Sequence, residues 1–166
     1  MYDLKKIKEE ILAILKTNAR APILDIAKMV NLPRKEVEKL ITSMEKEGII
    51  VQYSTIINEK KIDTTSYVRA LIELGVRPES RTGFDAIAKR IAKFPQVVEH
   101  FLISGNYDFL IIVQGESLED ISRFVSEKLA SIENIRSIAT HFIMKKYKEN
   151  SVVIESDEIE RLMVSP

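Results

Sequence analysis

The chain has 166 residues and a mass of 19.0 kDa, which suits one or two small domains rather than a large multidomain enzyme. Its 45% hydrophobic content, with five Gly and five Pro, indicates a folded chain and excludes fibrous repeats and long disordered stretches. The absence of cysteine excludes disulfides, thiolate metal sites and a cysteine nucleophile, and the presence of only two histidines argues against a catalytic zinc site. No apolar run approaches the roughly 18 residues of a membrane span. The first ten residues are too charged for a signal peptide, so we expect a cytoplasmic protein with no membrane partner.

The zero net charge conceals a basic N-terminal part and an acidic C-terminal part. Residues 1–61 carry twelve Lys/Arg and nine Asp/Glu, a balance of +3, whereas residues 62–166 carry thirteen and sixteen, a balance of −3. A chain of two parts would show this asymmetry if only its N-terminal part bound a polyanion.

Apolar residues at helical spacing predict three short helices in the first fifty residues. Residues 3–16 form the first helix, and Pro22 fits the first turn of a second helix that is about eight residues long. Asn31-Leu32 makes a tight turn, Pro33 starts the third helix, and Gly48 terminates it. This arrangement is typical of a helix-turn-helix.

The third helix decides whether the chain contacts DNA. Its apolar residues from Val37 to Met44 share one face, and the glutamates fall on the two flanks. The opposite face carries three lysines and a threonine, which can meet phosphates and base edges in a major groove. The alternative is an ordinary solvated helix face, but the short helix and tight turn before it favour DNA contact. The candidate DNA-binding residues are Arg34, Lys35, Lys39, Thr42 and Lys46.

Four regions follow from the change of pattern along the chain. Residues 1–50 form the helix-turn-helix DNA-binding domain, and residues 51–63 form a strand and linker, because Ile49–Ile57 is an apolar, β-branched run that favours a strand or wing. Residues 64–148 form a second domain. Residues 149–166 form a C-terminal extension, in which Ser156–Met163 could be a short acidic helix.

The second domain alternates strands and helices. Its order of strand, helix, strand, strand, helix, strand predicts a ferredoxin-like βαββαβ domain, a four-stranded antiparallel sheet with two helices on one face, so the fold class is α+β. Ser117 and Asp120 resemble a capping box at the second helix. The predicted strands are Val68–Leu74, Val97–Ile103, Asp108–Gln114 and Ile135–Lys145, and the predicted helices carry the apolar stripes Phe84–Phe94 and Leu118–Leu129.

Phe109–Val113 is apolar without a break. Two helices cover only one face of a four-stranded sheet, yet this central run is apolar on both faces. A second copy of the sheet is the simplest cover for the other face, so we expect a homodimer through the sheet domain.

The whole arrangement resembles the leucine-responsive/AsnC family of transcriptional regulators. The residues that carry the likeness are Leu24–Ala27, Val30–Leu32, Val37, Met44–Ile50, Phe94–Glu99, Ser104–Leu110 and Thr140–Lys148, and the resemblance covers about residues 3–148. The Gly105–Asp108 block in this setting is its most specific part. Two departures are that Pro33 stands where the family usually has a capping Ser or Thr, and that Lys39 and Leu40 replace arginines common late in the helix.

The resemblance implies a homodimer, often assembled into tetramers or octamers, that binds double-stranded DNA and senses an amino acid. It places the effector near the hairpin Ser104–Asp108, where backbone N–H groups can hold a carboxylate and Asp108 can pair with an ammonium group. The alternative is that Gly105-Asn106 is only a turn that Asp108 caps. The candidate effector-binding residues are Ser104, Gly105, Asn106, Tyr107, Asp108 and Thr140.

No motif supports enzymatic chemistry. The chain lacks a Gly-rich phosphate loop, a Gly-x-Ser-x-Gly elbow and a paired-carboxylate motif, and we expect no cofactor and no metal. The predicted function is therefore a sequence-specific transcriptional regulator whose assembly or DNA affinity responds to an amino acid. Two alternatives stay open, an architectural protein that compacts DNA with little regard to sequence, and a regulatory subunit of an enzyme that does not bind DNA.

Overall fold

The computed structural model describes residues 3–62, 67–80 and 82–154. The chain divides into two compact units, Met1–Ile57 and Asn58–Pro166. We call them the helical unit and the sheet unit and describe each by itself.

The helical unit contains α1 (Leu4–Thr17), α2 (Ile23–Met29) and α3 (Arg34–Lys46). The carboxylate of Asp3 caps α1 by accepting hydrogen bonds from the backbone N–H groups of the first turn. Asn31, at φ 52°, makes the turn between α2 and α3, and Gly48, at φ 71°, follows α3. The three helices enclose one apolar core of Ile7, Ile11, Ile26, Ala27, Val30, Val37, Ile41 and Met44.

The sequence predicts a strand or wing over Ile49–Ile57, and the prediction of a strand is wrong. After Gly48 the chain runs on without joining any sheet in the described part of the helical unit. A β-branched run becomes a strand only when a neighbouring backbone accepts and donates its hydrogen bonds, and this unit offers helices alone. Val51 therefore remains almost fully exposed.

The sheet unit is built from four long strands and two helices. Its sheet has the order β2-β3-β1-β4, and each neighbouring pair is antiparallel. This order confirms the ferredoxin-like, α+β prediction. The elements are β1 (Val68–Val76), α4 (Asp85–Ile91), β2 (Val97–Leu102), β3 (Phe109–Gly115), α5 (Leu118–Phe124), which continues as a π-helical turn over Val125–Leu129, and β4 (Ile135–Phe142).

Alternate residues of the two central strands form the core. Ala70, Ile72 and Leu74 of β1 face the helices together with Phe109 and Ile111 of β3, and all are buried. The residues between them, such as Leu71, Leu110 and Ile112, point to the other face, where they are only half-buried. We call this second surface the open sheet face.

Smaller elements flank the sheet. A 3₁₀ turn, Glu59–Lys61, precedes β1, and β4 ends at Phe142, earlier than expected. A short hairpin of β5 (Lys148–Glu149) and β6 (Val152–Val153) follows. The acidic helix expected over Ser156–Met163 lies outside the described residues. Within the described residues, no helix has the length and apolarity to cross a membrane.

Candidate DNA-binding helix and effector hairpin

The outer face of α3 carries the predicted DNA-binding residues as the helical period requires. Val37, Ile41 and Met44 are buried in the core of the helical unit, which fixes the opposite side of the helix toward solvent. Four of the predicted residues line a shallow open groove along that side, and all four are exposed: Lys35, Lys39, Thr42 and Lys46. Arg34 is exposed but does not line this groove.

Three of the four glutamates on the flanks of α3, namely Glu38, Glu45 and Glu47, have hydrogen-bond or ion-pair partners, whereas Glu36 is exposed. Nε of Arg34 lies 2.8 Å from a carboxylate oxygen of Glu38. The hydroxyl of Tyr53 donates to Glu45 at 2.8 Å. Glu47 accepts hydrogen bonds from the Ser43 hydroxyl and from Lys8, whose Nζ lies 3.4 Å away, and these contacts hold the pKa of Glu47 below its usual value.

These contacts change the electrostatics of α3, which looks neutral from its sequence. Among the described residues, Lys35, Lys39 and Lys46 have no ion-pair partner, whereas Glu38 and Glu47 each have a cation beside them. The outermost line of α3 is therefore positive, which suits a phosphate backbone. Sequence reasoning missed Lys8 and Tyr53, because both reach α3 from other segments.

The hairpin between β2 and β3 is formed by residues 103–108. The backbone N–H of Ile103 donates to the carbonyl of Asp108 at 2.9 Å, which closes the loop. Gly105 adopts φ 150°, a conformation that side-chain-bearing residues rarely adopt. Ser104, Gly105 and Asn106 are exposed at the tip, whereas Tyr107 and Asp108 are half-buried.

Asp108 is bound into the sheet rather than projecting from the turn. Its backbone N–H donates to the carbonyl of Leu74 at 3.0 Å, and its Oδ2 accepts from the N–H of Val76 at 2.6 Å. Nη2 of Arg136 lies 3.8 Å from the same oxygen. The other oxygen, Oδ1, accepts no hydrogen bond from a described residue, so one side of this carboxylate is available to a ligand.

Tyr107 connects the hairpin to the open sheet face. A hydrogen bond to the Glu73 carboxylate, together with burial and the charge of Glu73, raises the pKa of Tyr107. Glu73 Oε1 also lies 3.5 Å from Nε2 of His141 on β4. Sequence reasoning named Tyr107 as a candidate effector-binding residue, and it missed the partner Glu73.

The structure does not bring Thr140 to the hairpin within one chain. Thr140 pairs with Ile72 of β1 and so lies on the face that the helices cover. Ser137, three residues earlier on β4, pairs with Gly75 at the level of Asp108. Three residues of strand separate Thr140 from that level by about 10 Å.

The other histidine, His100, packs against an aromatic ring. Its ring meets Phe109 edge to face, with 4.7 Å between the ring centroids, and its Nε2 is buried without a hydrogen-bond partner. Burial lowers the pKa of His100. The described residues contain no group of three or more His, Asp or Glu side chains that could hold a metal ion.

Two family models match the chain. One describes a winged helix-turn-helix DNA-binding domain and matches residues 4–51, and the other describes the Lrp/AsnC ligand-binding domain and matches residues 69–153, about half of the chain. This chain belongs to the Lrp/AsnC family. It is a DNA-binding transcriptional regulator with a ligand-binding domain, which confirms the resemblance inferred from the sequence.

Individual proteins agree with this assignment. YugG of Bacillus subtilis, described as an uncharacterized HTH-type transcriptional regulator, is 43% identical over 158 residues, 95% of each chain. The crystal structure of an AsnC family transcriptional regulator from Agrobacterium tumefaciens is similar with a TM-score of 0.69 and 25% identity, over 92% of this chain and 96% of that chain. The transcriptional regulator NMB0573 of Neisseria meningitidis, solved as an L-Met complex, has the same fold, with a TM-score of 0.68 and 23% identity over 90% and 94% of the two chains. The names of these relatives fit a protein that is not an enzyme.

Proposed function

We propose that this Lrp/AsnC-type regulator binds double-stranded DNA through Arg34, Lys35, Lys39, Thr42 and Lys46 of α3. The observation that carries the proposal is the exposed row of lysines, which lies beside three glutamates that already have partners. Each unpaired lysine can neutralise a phosphate, and a helix of this width fits a major groove. Arg34 can also reach DNA if it exchanges Glu38 for a phosphate.

The open sheet face supports a homodimer. The half-buried side chains of Leu71, Leu110 and Ile112 lie on it, and Phe101 on the edge strand is 44% exposed. A second copy of this face would remove these apolar surfaces from water at once. A dimer would present two copies of α3 to DNA, and further association would give the expected tetramer or octamer.

The hairpin Ser104–Asp108 is the proposed effector site. Exposed backbone at Gly105 and Asn106 can donate to a carboxylate, and the available Oδ1 of Asp108 can accept from an ammonium group. The L-Met complex of NMB0573, which shares this fold, supports an amino acid as the class of effector. Thr140 is left out of this site because it lies elsewhere on β4.

A bound amino acid would regulate the protein by favouring one assembly state over another. Such a shift requires that the effector bind one state more tightly than the other. The link from Tyr107 through Glu73 to His141 supports this mechanism, because it joins the proposed effector hairpin to the proposed dimer surface.

One observation favours the architectural alternative. The groove on α3 contains lysines but no arginine, and lysine lacks the planar fork with which arginine reads guanine. Such a surface favours phosphate contacts, which carry no sequence information directly.

The test is to incubate the protein with sheared genomic DNA from its own source and to sequence the fragments that remain bound at about 150 mM salt, where weak non-specific contacts are released. We expect a small set of enriched sites, and their neighbouring genes would nominate the effector. Even recovery across the genome would establish the architectural function instead. No recovery at this or lower salt would remove DNA binding through α3 and favour the regulatory subunit of an enzyme.

A further inference from the structure

Beside the proposed effector hairpin, β4 contains an irregularity that sequence reasoning missed. β1 and β4 pair regularly up to Gly75 with Ser137, but the next pair is Val76 with Ile135, so Arg136 is an extra residue on β4. A bulge of this kind turns a side chain in a new direction and occurs often next to functional sites. Gly75 permits the close approach here, because a Cβ atom at that position would lie 2.3 Å from the Ser137 hydroxyl oxygen.

The bulge directs Arg136 to Asp108. Nη2 of Arg136 donates to the carbonyl of Val76 at 3.3 Å and lies 3.8 Å from Oδ2 of Asp108. No other partner of this guanidinium occurs in the described part of the chain, and the side chain is 59% exposed. A cation with spare donors therefore stands beside a carboxylate with one spare oxygen.

We propose that Arg136 binds the α-carboxylate of the amino-acid effector while Asp108 binds its ammonium group. This inference rests on the proposed effector function of the hairpin and adds to it the residue that recognises the acid group. An α-amino acid carries its ammonium and carboxylate groups on one carbon atom, so two side chains of opposite charge only a few ångströms apart can bind both groups. Asp108 and Arg136 meet both conditions, and the guanidinium fork matches the two oxygens of a carboxylate.

The proposal separates two ways of holding the acid group. If exposed hairpin N–H groups alone held the carboxylate, Arg136 would be dispensable for binding. If Arg136 holds it, removing its charge must remove the preference for a free acid over the corresponding carboxamide. A carboxamide retains the ammonium group for Asp108 but has lost the negative charge.

The experiment is isothermal titration of the full-length protein with each of the twenty standard amino acids, followed by the primary amide of the tightest binder. Titrations at about pH 6.5 keep the amine protonated, below an α-amino pKa of about 7.7. The variants are Arg136→Gln and Arg136→Lys. Arg123→Gln is the matched control, because this exposed arginine of α5 pairs with Glu119 away from the hairpin. Thermal denaturation shows that each variant is folded.

We expect the wild type to bind the acid at least about tenfold more tightly than the amide, as for a charge-assisted bidentate contact. Arg136→Gln should bind the acid as weakly as the amide, with its affinity for the amide unchanged. The affinity of Arg136→Lys for the acid should lie between those of Arg136→Gln and the wild type. Arg123→Gln should bind both compounds as the wild type does. If Arg136→Gln retains the preference for the acid, or if it loses acid and amide binding equally, the inference is wrong while the effector function stands. If no amino acid binds the wild type, the effector function itself is wrong, and this inference fails with it.

Discussion

The helical and sheet units hold their candidate functional residues in opposite ways. On α3, Lys35, Lys39 and Lys46 are exposed and have no ion-pair partner among the described residues. In the sheet unit, Asp108 bonds to Leu74 and Val76 of the neighbouring strand and lies beside Arg136. DNA binding should therefore be separable from stability in the helical unit, whereas effector binding and stability should share residues in the sheet unit.

This difference follows from what each surface contacts. A DNA-binding helix meets a large polyanion from outside, so its side chains can remain solvated until the partner arrives. A site in which two opposite charges bind a small zwitterion must hold them a few ångströms apart, and bonds to the surrounding backbone help to hold them there. The predictions below test the contrast, from the largest expected effect to the smallest.

The most disruptive change should be Ile112→Asp on the open sheet face. A carboxylate there would be buried without a partner in the proposed dimer, so we expect dimerisation to weaken about 100-fold or more. Sedimentation equilibrium measures the association constant. Leu118→Asp, a change of an equally apolar residue that is exposed on α5, should remain dimeric. A dimeric Ile112→Asp protein would mean that copies associate through another surface.

Asp108→Ala should reduce stability and effector binding together. Loss of the carboxylate leaves the N–H of Val76 without its acceptor, which costs about 2 kcal/mol of unfolding free energy. Urea denaturation at fixed protein concentration measures this cost, and titration with the best amino acid measures binding. Asp25→Ala, which removes a surface pair with Lys28, should cost less than about 1 kcal/mol. If Asp108→Ala lost effector binding at unchanged stability, the contrast between the units would be wrong.

Lys39→Ala should show the reverse behaviour, with DNA binding weakened at unchanged stability. Removing one phosphate contact should lower the slope of log K against log salt by about one unit, for random and selected DNA alike. Fluorescence anisotropy over a series of salt concentrations measures the slope, and Lys35→Ala should behave in the same way. Lys89→Ala in α4 removes the same charge from the sheet unit and serves as the control. An unchanged slope in both α3 variants would place the DNA-binding surface elsewhere.

The smallest effect concerns His100, a half-buried side chain whose Nε2 is buried without a hydrogen-bond partner. Its pKa is lowered in the folded chain, so the unfolded chain binds more protons, and stability present above about pH 6.5 should be lost as the pH falls below that value. His100→Phe should remove this part of the acid sensitivity. Thermal denaturation at a series of pH values tests it, and at about pH 8 the variant should be at least as stable as the wild type. Equal acid sensitivity in both proteins would contradict the assignment.

Local pattern was sufficient to predict most of the elements of both units. The periods of apolar residues located α1, α2 and α3, alternation located β1, and the unbroken apolar run Phe109–Val113 located β3. Gly48 ends α3 as expected, and the Ser117 hydroxyl accepts from the N–H of Asp120 as a cap. These features depend on residues close together in sequence, so a single chain is enough to show them.

The sequence pattern did not predict features that depend on contacts between residues far apart in the sequence. Ile49–Ile57 has the composition of a strand but no strand partner in its unit. The bulge at Arg136 arises from the register between β1 and β4, which lie about sixty residues apart, and nothing near Arg136 in the sequence marks it. The link from Tyr107 to Glu73 and His141 likewise joins three segments that only the sheet brings together.

The sequence by itself determined the two domains, the order of their elements and the row of lysines on α3, because helical and strand periods fix which residues share a face. The tertiary structure alone decided the partners of two glutamates beside that row, because Lys8 reaches Glu47 and Tyr53 reaches Glu45 from other segments. It also decided the environment of Asp108, where the pairing of β1 with β3 and β4 brings the N–H of Val76 and the guanidinium of Arg136 to one carboxylate. Ion pairs and hydrogen bonds act over a few ångströms, so they depend on which segments meet in space.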